Sequence, residues 1–223
     1  ASECLKFLSD LHVFVNQNLL EESLWPLSMP CQIDSEGDIP IGNYGTSNQG
    51  MMKTIYRRAL SNRYGSMMQA IAGIHYNFSF SDKFLQIFAD NNSIDLKKFK
   101  NEVYLGIARN FRRYGWLYLL LFGSSPIANK SFAENRSHNL DDLNTEDLFK
   151  PYATSLRMGD LGYISQAQDS LNISYNSIDQ YTLDLKNALK TSYEDYKKLG
   201  EFKDNQRIQL NDSIIQIENE YYS

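Results

Sequence analysis

Gly73-Ile74-His75-Tyr76-Asn77-Phe78-Ser79-Phe80 is the stretch on which the reading of this chain turns. Apolar and polar residues alternate along it, and successive side chains of a strand point to opposite faces. The alternation predicts a strand over 71–80, with Ile74, Tyr76, Phe78 and Phe80 on one face and His75, Asn77 and Ser79 on the other. The first face belongs in a core. The second offers an imidazole, an amide and a hydroxyl in a row. Neutral imidazole is a common metal ligand, and the amide and hydroxyl suit a phosphate or the groups that orient a ligand. The same pattern also fits a half-exposed strand whose polar face is only solvated.

Outward from this strand the chain is mostly helical in pattern. Upstream, Leu5, Leu8, Leu11, Val15 and Leu19 recur at three- and four-residue steps and predict an amphipathic helix over 3–20. Pro26 and Pro30 break the segment 25–31, and Gly37, Pro40, Gly42 and Gly45 mark 34–45 as a polar loop. Thr46 or Ser47 caps the next helix, 48–63, which carries Tyr56, Arg57 and Arg58. Downstream, a short helix is predicted over 81–91 and a long one over 95–113, capped by Ser93, with Phe99, Val103, Ile107, Phe111 and Tyr114 on its buried side. Arg109, Arg112 and Arg113 read as a basic stripe on its solvated side. A short helix near 127–134 stands among polar loops, a further helix covers 178–199, and strands follow at 206–210 and 213–222. Several helices with a few scattered strands make an α+β pattern.

Two further segments can carry chemistry. In the last predicted strand, Gln216, Glu218, Glu220 and Tyr222 share one face, and Ile215, Ile217, Asn219 and Tyr221 the other. Two carboxylates on one face suit Mg²⁺, which prefers hard oxygen ligands, but a charged solvent face on an edge strand accounts for them more simply. The segment 151–163 is too rich in hydroxyls and glycine for a regular element, and its Arg157 is able to clamp a carboxylate bidentately or to cap the loop.

Composition bounds the rest. The chain has 223 residues, 42% hydrophobic and 22% charged, ordinary for a globular protein, and 15 tyrosines. A net charge of −5 argues against nucleic-acid or anionic-membrane partners. Cys4 and Cys31 give no disulfide framework and no zinc cluster, and the longest apolar run, 116–122, is too short for a bilayer. The expectation is a monomeric protein in a reducing cytoplasm. The chain opens at once in a helical pattern and closes inside a strand-like run, so a larger protein trimmed at both ends is expected, with 1–223 a single unit.

Five strings, in order along the chain, carry a resemblance: 25–31 (WPLSMPC), 43–48 (NYGTSN), 73–79 (GIHYNFS), 152–157 (YATSLR) and 217–222 (IENEYY). They resemble the proteobacterial type of glutamate–cysteine ligase. The resemblance implies a fold related to glutamine synthetase, with part of its antiparallel sheet and several packed helices, forming a catalytic domain. It implies ATP, Mg²⁺, glutamate and cysteine as the small molecules handled, and formation of γ-glutamylcysteine through an acyl phosphate. It implies His75 as a Mg²⁺ ligand near the ATP phosphates, with Asn77 beside it. Arg157 is then the catalytic arginine, and Tyr56, Arg57, Gln69, Tyr163 and Tyr222 line the substrate sites. The family's main metal carboxylates have no counterpart in this stretch, so the 223 residues alone are expected to be inactive. A ligase for another amine, or a non-catalytic helical module, are the alternatives.

Overall fold

The computed structural model describes residues 2–73, 75–91, 93–123, 125–134, 136–159, 161–162 and 165–221. Helix α1 (Ser2–Asn18) lies where its periodicity places it, but it buries none of its residues, and Leu5, Phe7 and Phe14 all stand open. Helix α2 (Asn48–Tyr64) starts at Ser47, whose hydroxyl accepts from the Gly50 amide at 3.1 Å. It stops at Gly65, whose φ of 88° only glycine adopts at no cost. Gly50 is required by packing, since a Cβ there would overlap the Tyr44 carbonyl.

Helix α3 (Asp82–Asn91) packs its buried Leu85 and Ala89 toward α4 (Leu96–Phe122). The cap of α4 is Asp95, accepting from the Lys98 amide at 3.1 Å, and not the expected Ser93, which takes a left-handed φ of 54° in the turn before it. The helix also runs nine residues past 113, because the apolar run 114–122 continues a helical chain without a Pro or capping Gly until Gly123.

The expected helix near 127–134 is instead strand β1 (Ile127–Asn129) followed by the single turn α5 (Lys130–Ala133). With β2 (Asp141–Asp142) and β3 (Asp147–Phe149) it forms a small antiparallel sheet of order β1-β3-β2, in which Ala128 faces Leu148. The predicted helix 178–199 is two helices, α6 (Ile178–Ala188) and α7 (Glu194–Leu199). The hydroxyl-rich break between them lets Ser192 bridge Ser213. A second antiparallel pair, β4 (Phe202–Lys203) and β5 (Gln206–Arg207), closes a tight hairpin with Asp204 and Asn205 at positive φ. The strand expected over 213–222 is absent among the described residues. That stretch carries a 3-10 turn, Glu218–Glu220, and Gln209, Ser213, Gln216 and Glu220 are all buried.

Two clusters make the interior. The first gathers Met29, Met67, Met68, Ile71, Phe132, Leu156 and neighbours, and the second Ala167, Ala188, Tyr196, Ile214 and Ile215. Both meet the C-terminal end of α2, Tyr64 packing on the first and Arg63 on Tyr196 of the second, and a cleft of about 1120 Å³ there is lined by Arg63, Tyr64, Met67, Met68, Ser165 and Tyr196, among others.

Candidate functional site

The stretch 73–80 forms no strand among its described residues. A lone segment cannot satisfy its backbone amides by itself, and no described strand lies alongside it. Both ends are nevertheless pinned. Ala72 exchanges bonds with Ser28, its amide donating to the Ser28 carbonyl at 2.9 Å while the Ser28 hydroxyl donates to the Ala72 carbonyl. At the far end the Phe80 amide donates to the Tyr104 hydroxyl on α4 at 2.9 Å. Of the expected apolar face, Ile74 lies outside the described residues, Tyr76 is 80% and Phe78 56% exposed, and Phe80 is half-buried. Phe78 and Phe80 instead begin a run of ring contacts through Phe84 to Phe88 at centroid spacings of 4.9, 5.1 and 5.0 Å. His75 and Asn77 are exposed on this pinned segment.

Arg157 is brought to the head of the segment. It lies on the 3-10 turn Leu156–Met158, and Leu156 shares the first cluster with Met67, Met68 and Ile71 of the turn that precedes Gly73. Its guanidinium lies so close over Gly73 that a Cβ there would stand 2.5 Å from Nη1 and 2.6 Å from Cζ. The Arg157 Nε is buried and without a hydrogen-bond partner among the described residues, and so is Nε2 of Gln69 on the turn Ser66–Ala70. Both sites of unspent hydrogen bonding thus belong to turns that meet in one core. A guanidinium is always charged, and with a free N–H it suits an anion with planar or tetrahedral oxygens.

Tyr56 and Arg57 are half-buried on α2, away from that meeting point in sequence but on the helix that leads to it. Tyr163 and Tyr222 lie outside the described residues. Among the described residues, no group of three or more His, Cys, Asp or Glu side chains is placed to hold a metal ion. His75 would therefore supply one ligand of a metal site and not a whole one.

The sequence reading missed the polar network at the end of α2. Arg63 and Glu220 face each other at 3.4 Å, both with 0% of the side chain exposed, where Glu220 had been assigned to a solvated strand face. The correction has a physical reason: no ladder forms at 213–220, so the alternation rule does not apply, and the turn Glu218–Glu220 rolls the carboxylate inward. Tyr64 donates to the same carboxylate at 3.1 Å, and burial together with that negative charge pushes its phenol well above the ordinary tyrosine range. The signal in the sequence was the density of Gln209, Asn211, Gln216 and Glu220 between Ile208, Ile214 and Ile215, a polar set that an apolar run does not leave unpaired.

The basic stripe of α4 is exposed as its spacing suggests, and two of its arginines meet Tyr175 there. Arg109 Nη1 donates to the Tyr175 carbonyl at 2.5 Å, and the Arg112 guanidinium lies 5.2 Å from the Tyr175 ring centroid. A hydrogen bond to the Tyr221 hydroxyl raises the pKa of Arg112, while burial, the larger effect, raises that of Tyr221.

The family model for glutamate–cysteine ligase matches residues 1–223. The glutamate–cysteine ligase of Pseudomonas putida is 46% identical across 100% of this chain, and that of Hahella chejuensis 46% across 99%. The chain spans 43% of the length of each of these two relatives. Among solved structures, the glutamate–cysteine ligase of Francisella tularensis in complex with AMP superposes over 100% of the chain with a TM-score of 0.90 at 40% identity, and the chain covers 44% of it. A bifunctional glutathione synthetase from Pasteurella multocida gives a TM-score of 0.61 at 27% identity, over 85% of this chain and 23% of that one.

Proposed function

Because the chain belongs to the glutamate–cysteine ligase family, we propose that its protein joins the γ-carboxyl of L-glutamate to the amine of L-cysteine at the expense of ATP, giving γ-glutamylcysteine for glutathione biosynthesis. The observation that carries the reading is Arg157, a charged group with a buried, unpartnered N–H held over Gly73, two residues before His75. Phosphoryl transfer needs fixed positive charge at the phosphate and at the carboxylate that attacks it. In the proposed reaction a γ-carboxylate oxygen of glutamate attacks the terminal phosphorus of ATP and ADP leaves. The cysteine nitrogen then attacks the acyl carbon and phosphate leaves. Arg157 is assigned to the transferring phosphoryl group or to the carboxylate it activates. Tyr56, Arg57, Gln69, Tyr163 and Tyr222 are assigned to the substrates, and Asn77 to the nucleotide.

The AMP bound by the Francisella protein supports nucleotide use. Mg²⁺ is the usual partner of ATP in such chemistry, and His75 is the proposed ligand from this chain. The described residues do not complete a site for it, so no step here runs through the metal. The same reading includes a glutamine-synthetase-like antiparallel sheet to which this chain contributes, a single unit over 1–223, and a monomeric, cytoplasmic protein. The short strands described here are antiparallel, which agrees with that sheet but does not amount to it.

The test is phosphate release from ATP by the protein as encoded, with glutamate and with or without cysteine. Cysteine-dependent release that falls by about 10²-fold in Arg157→Met supports the reading. Release that answers to a different amine moves the assignment to another carboxylate–amine ligase, and release unchanged in Arg157→Met removes that arginine from the chemistry.

A further inference from the structure

The segment 73–80 has no sheet to hold it, yet a side-chain hydroxyl fixes the backbone at each end. At the head, Ser28 takes up both backbone groups of Ala72: its carbonyl accepts from the amide at 2.9 Å, and its hydroxyl donates to the carbonyl. Ser28 is itself held in place. Pro26 and Pro30 restrict the backbone on either side of it, the Trp25 indole donates to the Met29 carbonyl at 2.8 Å, and Met29 is buried in the first cluster together with Ile71. At the tail, the Tyr104 hydroxyl on α4 accepts from the Phe80 amide at 2.9 Å. Phe80 also stacks on Phe84 of α3 at 5.1 Å between ring centroids, and α3 packs on α4, so the amide and the ring of Phe80 meet one helix pair.

Between these anchors the chain is open. His75, Tyr76, Asn77, Phe78 and Ser79 are all exposed. An extended stretch without ladder partners keeps its conformational freedom unless its ends remove it. The two anchors therefore decide where the groups between them lie. Gly73, under the Arg157 guanidinium, follows Ala72 directly, and Asn77 stands three residues before Phe80.

We propose that Ser28 and Tyr104 are positioning residues, two hydroxyls that hold the segment 73–80 extended and so set where it meets the nucleotide. The proposal rests on the ligase reading above, in which Asn77 serves the nucleotide and Arg157 the transferring phosphoryl group or the carboxylate. Neither hydroxyl is assigned to a substrate. Each acts through the backbone that it holds.

Tyr104→Phe removes one oxygen and keeps the ring. Ser28→Ala removes the hydroxyl and keeps the backbone carbonyl that accepts from Ala72. In the protein as encoded, each is expected to lower kcat/KM for ATP about tenfold, with the Michaelis constant for cysteine within about twofold and the melting temperature little changed. Ser28→Thr restores the hydroxyl and should bring kcat/KM for ATP back to within about threefold of wild type. Unchanged kinetics in either Tyr104→Phe or Ser28→Ala would overturn the proposal. So would Michaelis constants for ATP and cysteine that rise together as the melting temperature falls, because that marks a scaffold role only. Amide hydrogen exchange reads the holding without activity. The Phe80 amide is expected to be protected in the wild type and to exchange freely in Tyr104→Phe, and a Phe80 amide already free in the wild type would also overturn the proposal. A wild-type protein that releases no phosphate with any amine defeats the ligase reading alone, and the exchange measurement still decides whether the segment is held.

Discussion

At the scale of single residues, Gly73 and Tyr64 give separable tests. A Cβ at Gly73 meets only the far end of the Arg157 side chain, which can swing away. Gly73→Ala is therefore expected to leave the melting temperature nearly unchanged while displacing the guanidinium, with a loss of about 10²-fold in cysteine-dependent phosphate release from an ångström-scale misplacement. Equal loss in stability and activity would mean that the arginine is structural. For Tyr64, the folded state holds the phenol protonated by burial beside Glu220. Its contribution is fully present below the unfolded phenol value of about 10 and falls as pH rises above it, by at most ~1.4 kcal/mol per pH unit. Tyr64→Phe should flatten that alkaline loss in urea titrations at pH 9 to 11, at a cost near neutrality of about 1–2 kcal/mol for the lost hydrogen bond to a charged acceptor. An unchanged alkaline slope in the variant would assign the effect elsewhere; burial also raises the pKa of Tyr181 and Tyr221.

At the scale of elements, the start of α4 discriminates between two adjacent polar residues. Asp95→Ala removes the cap on the Lys98 amide and should cost about 1 kcal/mol in chemical denaturation, whereas Ser93→Ala should stay within about 0.5 kcal/mol. Helices α1, α2 and α3 were legible because their signals are local, such as apolar spacing and Ser47 as a cap. The strands mostly were not, although β5 (Gln206–Arg207) falls inside the strand expected at 206–210. A strand at 73–80 needs a partner that no spacing inside those residues can name, and alternation predicts only what a strand would do if paired. The same limit hid Glu220, whose burial depends on Arg63, 157 residues away in sequence. Of the candidate site, the residue types and segments were readable from their motifs, but the meeting of Arg157 with Gly73 was not, because it is made by Leu156, Met67, Met68 and Ile71 sharing a core. The break between α6 and α7 was missed because the apolar spacing runs on through 190–193 while Ser192 pairs with Ser213.

For the whole molecule, the question is whether its two apolar clusters are one cooperative unit. They are separated by a cleft and bridged by polar groups, with Tyr64 donating to Glu220 and its hydroxyl 3.3 Å from that of Ser165, and Arg63 reaching four residues of the tail. Phe132 is buried in the first cluster and Ile215 completely so in the second. Truncation to alanine should cost about 3–5 kcal/mol at Phe132 and 2–5 kcal/mol at Ile215, a large share of a typical domain stability of about 5–15 kcal/mol. The indole N–H of Trp25 donates to the Met29 carbonyl at 2.8 Å, and Met29 lies in the first cluster, so Trp25 fluorescence reports that side of the cleft once the exposed Trp116 is replaced by Phe. If the bridge couples the clusters, Ile215→Ala moves the Trp25 transition by the same free energy that it moves hydrogen exchange in the second cluster. Coupling through Arg63 then predicts that adding Glu220→Gln pulls the two transitions apart. A Trp25 transition that ignores Ile215→Ala from the outset would make 1–223 two units that meet at the cleft.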